Sequence, residues 1–143
     1  MPKSAVVDAS VLVSAFLFPD STPGRVVALA GQGHYTLIFS PILLEETCRS
    51  LRNPRLQNVY GHTNEEIETW CANLHEIGTL LTAALPDIGP VCRDPDDDHV
   101  IAAALAAGAK TIVSGDKDLL SLGQYEGVRM VTARDFLDEL LLE

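Results

Sequence analysis

Asp94, Asp96, Asp97 and Asp98 fall within five residues, directly ahead of the apolar run 100–107. A helix start welcomes one or two carboxylates, because its unpaired backbone N–H groups and dipole stabilise each by roughly 0.3–1 kcal/mol. Four exceed that need. Like charges so crowded raise one another's pKa unless a cation neutralises them, so the cluster points to a bound divalent metal. More acids stand where short apolar runs end: Asp8 closes the run 5–7, Asp116 follows the run 110–113, and Glu45 and Glu46 come soon after the run 35–39. Oxygen donors without a His or Cys cluster suit Mg²⁺ or Mn²⁺ rather than zinc. A metal pair roughly 3.5–4 Å apart would activate water and stabilise the leaving oxygen of an in-line phosphodiester cleavage, with no protein nucleophile.

The elements that must position these acids alternate. Apolar runs at 5–7 and 35–39 read as buried strands, and two further strands are read at 110–113 and 128–131, each followed by helical sequence. Helices are predicted at about 10–18, 23–31, 41–52, 64–82, 98–107 and 133–142, several opened by Ser, Thr, Asp or Asn and closed near Gly or Pro. Strands buried on both faces and alternating with helices imply an α/β fold with a mostly parallel central sheet, whose ligands bind beyond the carboxyl ends of the strands. Asp8 and Asp116 both lie at that edge. Asp98 opens its helix, and Ile101, Ala102 and Leu105 recur after it at spacings of three, four and seven, so the face that buries them turns Asp98 inward. Helical periodicity does not choose between Glu45 and Glu46.

Each acid taken singly has an ordinary role: a turn former at Asp8 or Asp116, an N-cap at Asp98, a solvated helix residue at Glu46. Their convergence on one sheet edge favours a site. Ser10, Ser114 and Thr132 are placed to orient carboxylates or water, with helix capping the stronger alternative for Ser10. His34, His62, His75 and His99 lack ligand spacing, and His99 reads as a surface residue beside the acidic loop. The segment 86–95 is the one extended loop, with room for a short strand at 88–92.

With 143 residues, 47% of them hydrophobic, the chain suits a single domain over 1–143. No run approaches the roughly 20 apolar residues of a membrane span, and no signal pattern opens the chain, so a cytoplasmic protein is expected. Cys48, Cys71 and Cys92 fit neither a disulfide framework nor a zinc site and are expected to fill core space. A net charge of −10 argues against passive coating of nucleic acid but not against an acid-centred nuclease. Arg49, Arg52 and Arg55 recur in the acid-free stretch 47–64, either as a solvated helix end or as a strip that contacts RNA phosphates.

The strand-end pattern Val6-Val7-Asp8-Ala9-Ser10, the segment SPILLEE at 40–46, the run RDPDDDHVIAAAL and the segment TIVSGDKDLL together resemble the PIN-domain family. The likeness spans nearly the whole chain, and its last two segments are most similar to PIN proteins that serve as toxins of toxin–antitoxin modules. It implies a three-layer α/β/α sandwich and a metal-dependent endoribonuclease, with an acidic quartet for Mg²⁺ or Mn²⁺ falling on Asp8, Glu46, Asp98 and Asp116. The spacing from Ser40 favours Glu46 over Glu45. Asp94, Asp97 and Asp118 match supporting acidic positions, and Ser114 keeps the hydroxyl where members of the family often have Thr. The resemblance also implies an RNA substrate, a homodimer and a small antitoxin partner. Two rivals stand beside it: a catalytically silent scaffold that binds RNA or protein, and phosphoryl transfer through an aspartyl intermediate. The latter would want a second Asp where this chain has Ser10.

Overall fold

The structure, a computed structural model, describes residues 3–142. In chain order the elements are β1 (Ser4–Val7), α1 (Ala9–Leu17), α2 (Thr22–Gly31), β2 (Thr36–Phe39), α3 (Pro41–Leu51), α4 (Pro54–Tyr60), α5 (Asn64–Ile77) and β3 (Thr79–Leu80). After a long loop and a single 3₁₀ turn (Pro95–Asp97) come α6 (Asp98–Ala107), β4 (Thr111–Val113), α7 (Lys117–Leu122), β5 (Gln124–Tyr125), β6 (Val128–Val131) and α8 (Ala133–Leu141). The strands form one six-stranded sheet in the order β3-β2-β1-β4-β6-β5, parallel except where the short β5 runs against β6. Helices cover it in a three-layer α/β/α arrangement, the expected fold class. No helix among the described residues is long and apolar enough to cross a membrane.

Burial explains the central strands. Val6, Val7, Leu37, Phe39, Ile112 and Val113 are all completely buried, as strands sandwiched between helical layers require. Packing of α6 on β1 and β4 fills one side with the small residues Ala103 and Ala104. The chain leaves β1 toward β2 on one side and returns through β4 on the other, so β1 and β4 flank the point where the strand order reverses. A crevice opens at the carboxyl ends of such a pair.

Four expectations shift. The helix predicted over 64–82 ends at Ile77, because Thr79 and Leu80 pair with Ile38 and Phe39 as an edge strand. Gly78 permits this turn: a Cβ there would come within 3.1 Å of the Leu37 carbonyl oxygen and of the Phe39 ring. The segment 41–52 stops at Leu51 and a separate helix begins at Pro54, capped by the Asn53 side chain. The segment 88–92 forms no strand, since the amides of Val91 and Cys92 are taken by the Asp98 carboxylate instead of a ladder. Finally, Cys92 is buried as expected, but Cys48 and Cys71 meet each other where α3 packs on α5, with their sulfurs 2.9 Å apart as free thiols.

Candidate active site

Asp8 follows β1 immediately and is nearly buried. Its amide bonds to the Val113 carbonyl of β4 at 2.9 Å, and its Oδ1 accepts from Ala9 N at 2.7 Å, capping α1. Two hydroxyls donate to its Oδ2: Ser114 at 2.7 Å and Ser10 at 3.2 Å. Each serine also takes a backbone amide from the loop after β4, Ser114 from Asp116 at 2.9 Å and Ser10 from Gly115 at 3.1 Å. Ser10 is therefore a strut between α1 and that loop, and Asp8 is the helix cap. Thr132, offered above as an orienting hydroxyl, caps α8 through Asp135 N.

Asp116 ends the same loop and caps α7, its Oδ1 accepting from Asp118 N at 2.8 Å. Oxygens of Asp97, Asp116 and Asp118 all lie within 4.8 Å of one another. Asp97 feels this crowding. Burial, a hydrogen bond shared with Asp116 and the charges of Asp116, Asp94 and Asp8 push its carboxyl up to about 7. Asp94 stands outside the group and caps the 3₁₀ turn by accepting from Asp96 N at 3.0 Å.

Asp98 faces another way. It is turned inward, as the helical face requires, but inward leads to the long loop: its two oxygens accept from Cys92 N at 2.7 Å and Val91 N at 3.0 Å. Desolvation works against its charge, yet the bonds from Cys92 and Val91 and the neighbouring His99 prevail and hold it below the usual carboxylate range. Of the two neighbours it is Asp97, on the 3₁₀ turn before the helix, that meets Asp116 and Asp118.

Asp8, Glu46, Asp97 and Asp116 line one cavity of about 350 Å³, together with Ser10, Val13 and Ser50. Glu46 and Glu45 separate cleanly. Glu46 faces this cavity with its Oε1 3.0 Å from His99 Nε2, whereas Glu45 is on an exposed flank of α3, paired with Arg49 at 2.8 Å. His99 is thus a half-buried partner of Glu46 and not a surface residue. No spacing in the sequence announced it, since the two residues lie on helices more than 50 positions apart.

The three arginines do not form one strip, because the break at Asn53 and Pro54 puts them on different helices. Arg49 and Arg52 border a cavity of about 840 Å³, larger than the acidic one, whose only lining carboxylate is the paired Glu45. Arg55 borders another, of about 470 Å³, that shares Val13 and Ser50 with the acidic cavity. Size and chemistry diverge here, and the chemistry lies in the smaller space.

The donor set suits a divalent cation. Every ionisable side chain lining the 350 Å³ cavity is a carboxylate, no basic group lines it, and burial together with the neighbouring carboxylates raises the Asp97 carboxyl to about 7. Hard oxygen ligands of this kind fit Mg²⁺ or Mn²⁺.

A mostly parallel sheet whose order reverses over a carboxylate-lined crevice defines an acid-centred α/β protein. The chain belongs to the PIN-domain family: the family model described as PIN domain matches residues 4–118. It is also similar to a protein of Methanocaldococcus jannaschii named "Uncharacterized protein MJ1680", with 31% identity over 147 residues covering 94% of this chain and 89% of that one. Membership of this family points to a nuclease, a hydrolase that acts on nucleic acid.

Proposed function

We propose that this chain is a Mg²⁺- or Mn²⁺-dependent endoribonuclease in which Asp8, Glu46, Asp97 and Asp116 hold the metal and Asp118 completes its surroundings. The observation that carries this is the convergence of four carboxylates from four separate segments on one small cavity at the strand ends. When bound, a divalent cation there supplies a more acidic water and neutralises charge on the phosphate. The chain's own contribution is orientation. Ser10 and Ser114 fix the Asp8 carboxylate, the start of α7 fixes Asp116, and His99 restrains Glu46. The Asp97 carboxyl, hydrogen-bonded to Asp116 and raised to about 7, carries a proton that a divalent ion would displace.

The test uses purified protein with mixed single-stranded and structured RNAs in Mg²⁺, Mn²⁺ or EDTA, beside Asp8→Asn. Cleavage that needs metal and disappears in the variant supports the assignment. Normal cleavage by a folded Asp8→Asn protein would sink it, and metal binding without turnover would favour the silent scaffold. The toxin role, the antitoxin and the dimer belong to the same proposal at a finer level. They are tested by growth arrest on expression, by relief of that arrest through a small protein encoded alongside, and by the mass of the purified protein in solution.

A further inference from the structure

Cys48 and Cys71 lie 23 positions apart on different helices, and neither lines the acidic cavity. Each is half-buried where α3 packs on α5, and their sulfurs are 2.9 Å apart with both thiols free. A disulfide bond is about 2.05 Å long, so roughly 0.9 Å of approach separates this contact from a covalent one. Cys92, by contrast, is a buried thiol set against the Asp98 carboxyl. Among the described residues no third His, Cys, Asp or Glu brings a ligand atom within 4.8 Å of both sulfurs, so the pair falls short of a zinc site.

The two sulfurs are not equivalent. Cys48 lines the 840 Å³ cavity together with Arg49 and Arg52, so an oxidant entering from solvent meets it first. Arg49 is held by Glu45 at 2.8 Å, while Arg52 has no acidic partner among the described residues. A partly exposed, electropositive setting is where protein thiols react with oxidants. Cys71 is the protonated partner: burial, then the hydrogen bond and charge of Cys48, push its thiol up to about 12 against the opposing influence of Arg52.

We propose that Cys48 and Cys71 form a reversible dithiol–disulfide site, which takes small hydroperoxides from the 840 Å³ cavity and pins α3 to α5 when oxidised. The Cys48 thiolate attacks one oxygen of hydrogen peroxide and the O–O bond breaks. Its sulfur becomes a sulfenic acid, and the other oxygen leaves as hydroxide, which takes up the proton that Cys48 released. The Cys71 sulfur then attacks the Cys48 sulfur, the S–O bond breaks, and the Cys71 proton leaves with the hydroxyl as water. Two thiols and one peroxide thus give one disulfide and two waters, the two electrons passing from sulfur to peroxide oxygen. A dithiol reductant reverses the step by exchange. The bridge closes a loop that contains α4, a helix with no buried residue of its own, and Glu46 lies two positions before Cys48 on the helix being pinned. This thiol chemistry is independent of the nuclease reading.

The test exposes the full chain, reduced with dithiothreitol and desalted into EDTA, to hydrogen peroxide, with samples quenched by N-ethylmaleimide. Peptide mapping without reduction is expected to find Cys48 joined to Cys71 within one chain, Cys92 alkylated, and the link lost on renewed reduction. In Cys71→Ser the reaction is expected to stop at the Cys48 sulfenic acid, trapped by dimedone, and Cys48→Ser is expected to form no disulfide. Circular dichroism verifies that both variants are folded, and the wild-type map decides the pairing without them. The linked protein is expected to melt about 6–12 °C above the reduced one, because the bridge restricts the unfolded chain. Cys48 and Cys71 still alkylated after prolonged exposure, or a link that joins two chains or runs through Cys92, would overturn the site. A linked product that melts no higher than the reduced protein would overturn it as well, since the bridge would then form only in a rearranged structure.

Discussion

Asp97 and Asp98 are neighbours with opposite electrostatics, and the contrast sets two predictions at the scale of the residue. Asp97 lines the acidic cavity and is forced toward neutrality, whereas Asp98 is fully engaged by two backbone amides and stays charged. Asp97→Asn is expected to abolish metal-dependent cleavage with little loss of stability, because the amide keeps a hydrogen bond to Asp116 and relieves repulsion. Asp98→Asn leaves an NH₂ facing an N–H donor and is expected to cost about 1 kcal/mol, with cleavage retained while the protein is folded. Urea unfolding and RNA cleavage measured on both variants would reverse this assignment if the two phenotypes exchanged. The second prediction concerns pH. Folded Asp97 keeps its proton up to about pH 7, while an unfolded aspartate releases it near about 4, so folding takes up a proton in between. The contribution of this site to stability is therefore fully present below about pH 4 and is lost as pH rises toward 7. Metal-free protein is expected to melt lower at pH 8 than at pH 5 by more than Asp97→Asn does, the difference between the two proteins being the reading that matters.

At the scale of the element, the site depends on short connections that hold acids from separate segments in register. Gly24 is one anchor. A Cβ at this position in α2 would lie 2.1 Å from the Pro19 carbonyl oxygen, a backbone atom that cannot move aside without shifting the end of α1. Gly24→Ala is expected to destabilise the fold by about 2–3 kcal/mol despite the higher helix propensity of alanine, as seen by thermal or urea unfolding. A neutral result would mean that the α1–α2 turn is more plastic than its packing indicates. The same elements show what was legible beforehand. The runs at β1, β2 and β4 are buried on both faces and nearly all apolar, and that marks them in the sequence, while β6 alternates, with Val128 and Met130 buried and Arg129 exposed. β3 and β5 have two residues each, too few for any period, and exist only because a neighbouring strand offers its edge. The edge carrying Asp8 and Asp116 was therefore foreseeable. Asp97 was legible only as a supporting acid and not as a lining residue of the cavity, because a 3₁₀ turn has neither the helical nor the strand period, and its aim is set by the loop that Asp98 ties down.

At the scale of the whole molecule, net charge and topology oppose each other. The chain carries −10, and folding concentrates Asp8, Glu46, Asp97, Asp116 and Asp118 at the carboxyl edge of one sheet, where β1 and β4 leave a crevice. Bringing these acids together costs stability that only bound positive charge recovers, since within the group the protein supplies no arginine or lysine. A ligand that binds the folded state alone stabilises it in proportion to the logarithm of its concentration, by about 2.7 kcal/mol at a hundredfold excess over Kd. Adding Mg²⁺ or Mn²⁺ to EDTA-treated protein is therefore expected to raise Tm progressively. The rise should be larger at pH 8, where Asp97 has lost its proton, than at pH 5, where the metal must displace it. Monovalent salt at matched ionic strength screens surface repulsion without filling the cavity, so its effect should be smaller and independent of Asp97. Titrations followed by differential scanning calorimetry on wild type, Asp97→Asn and Asp116→Asn decide the matter. A Tm that responds equally to monovalent and divalent salts, or that responds unchanged in both variants, would show that the crowded carboxylates are balanced by something other than a metal at this edge.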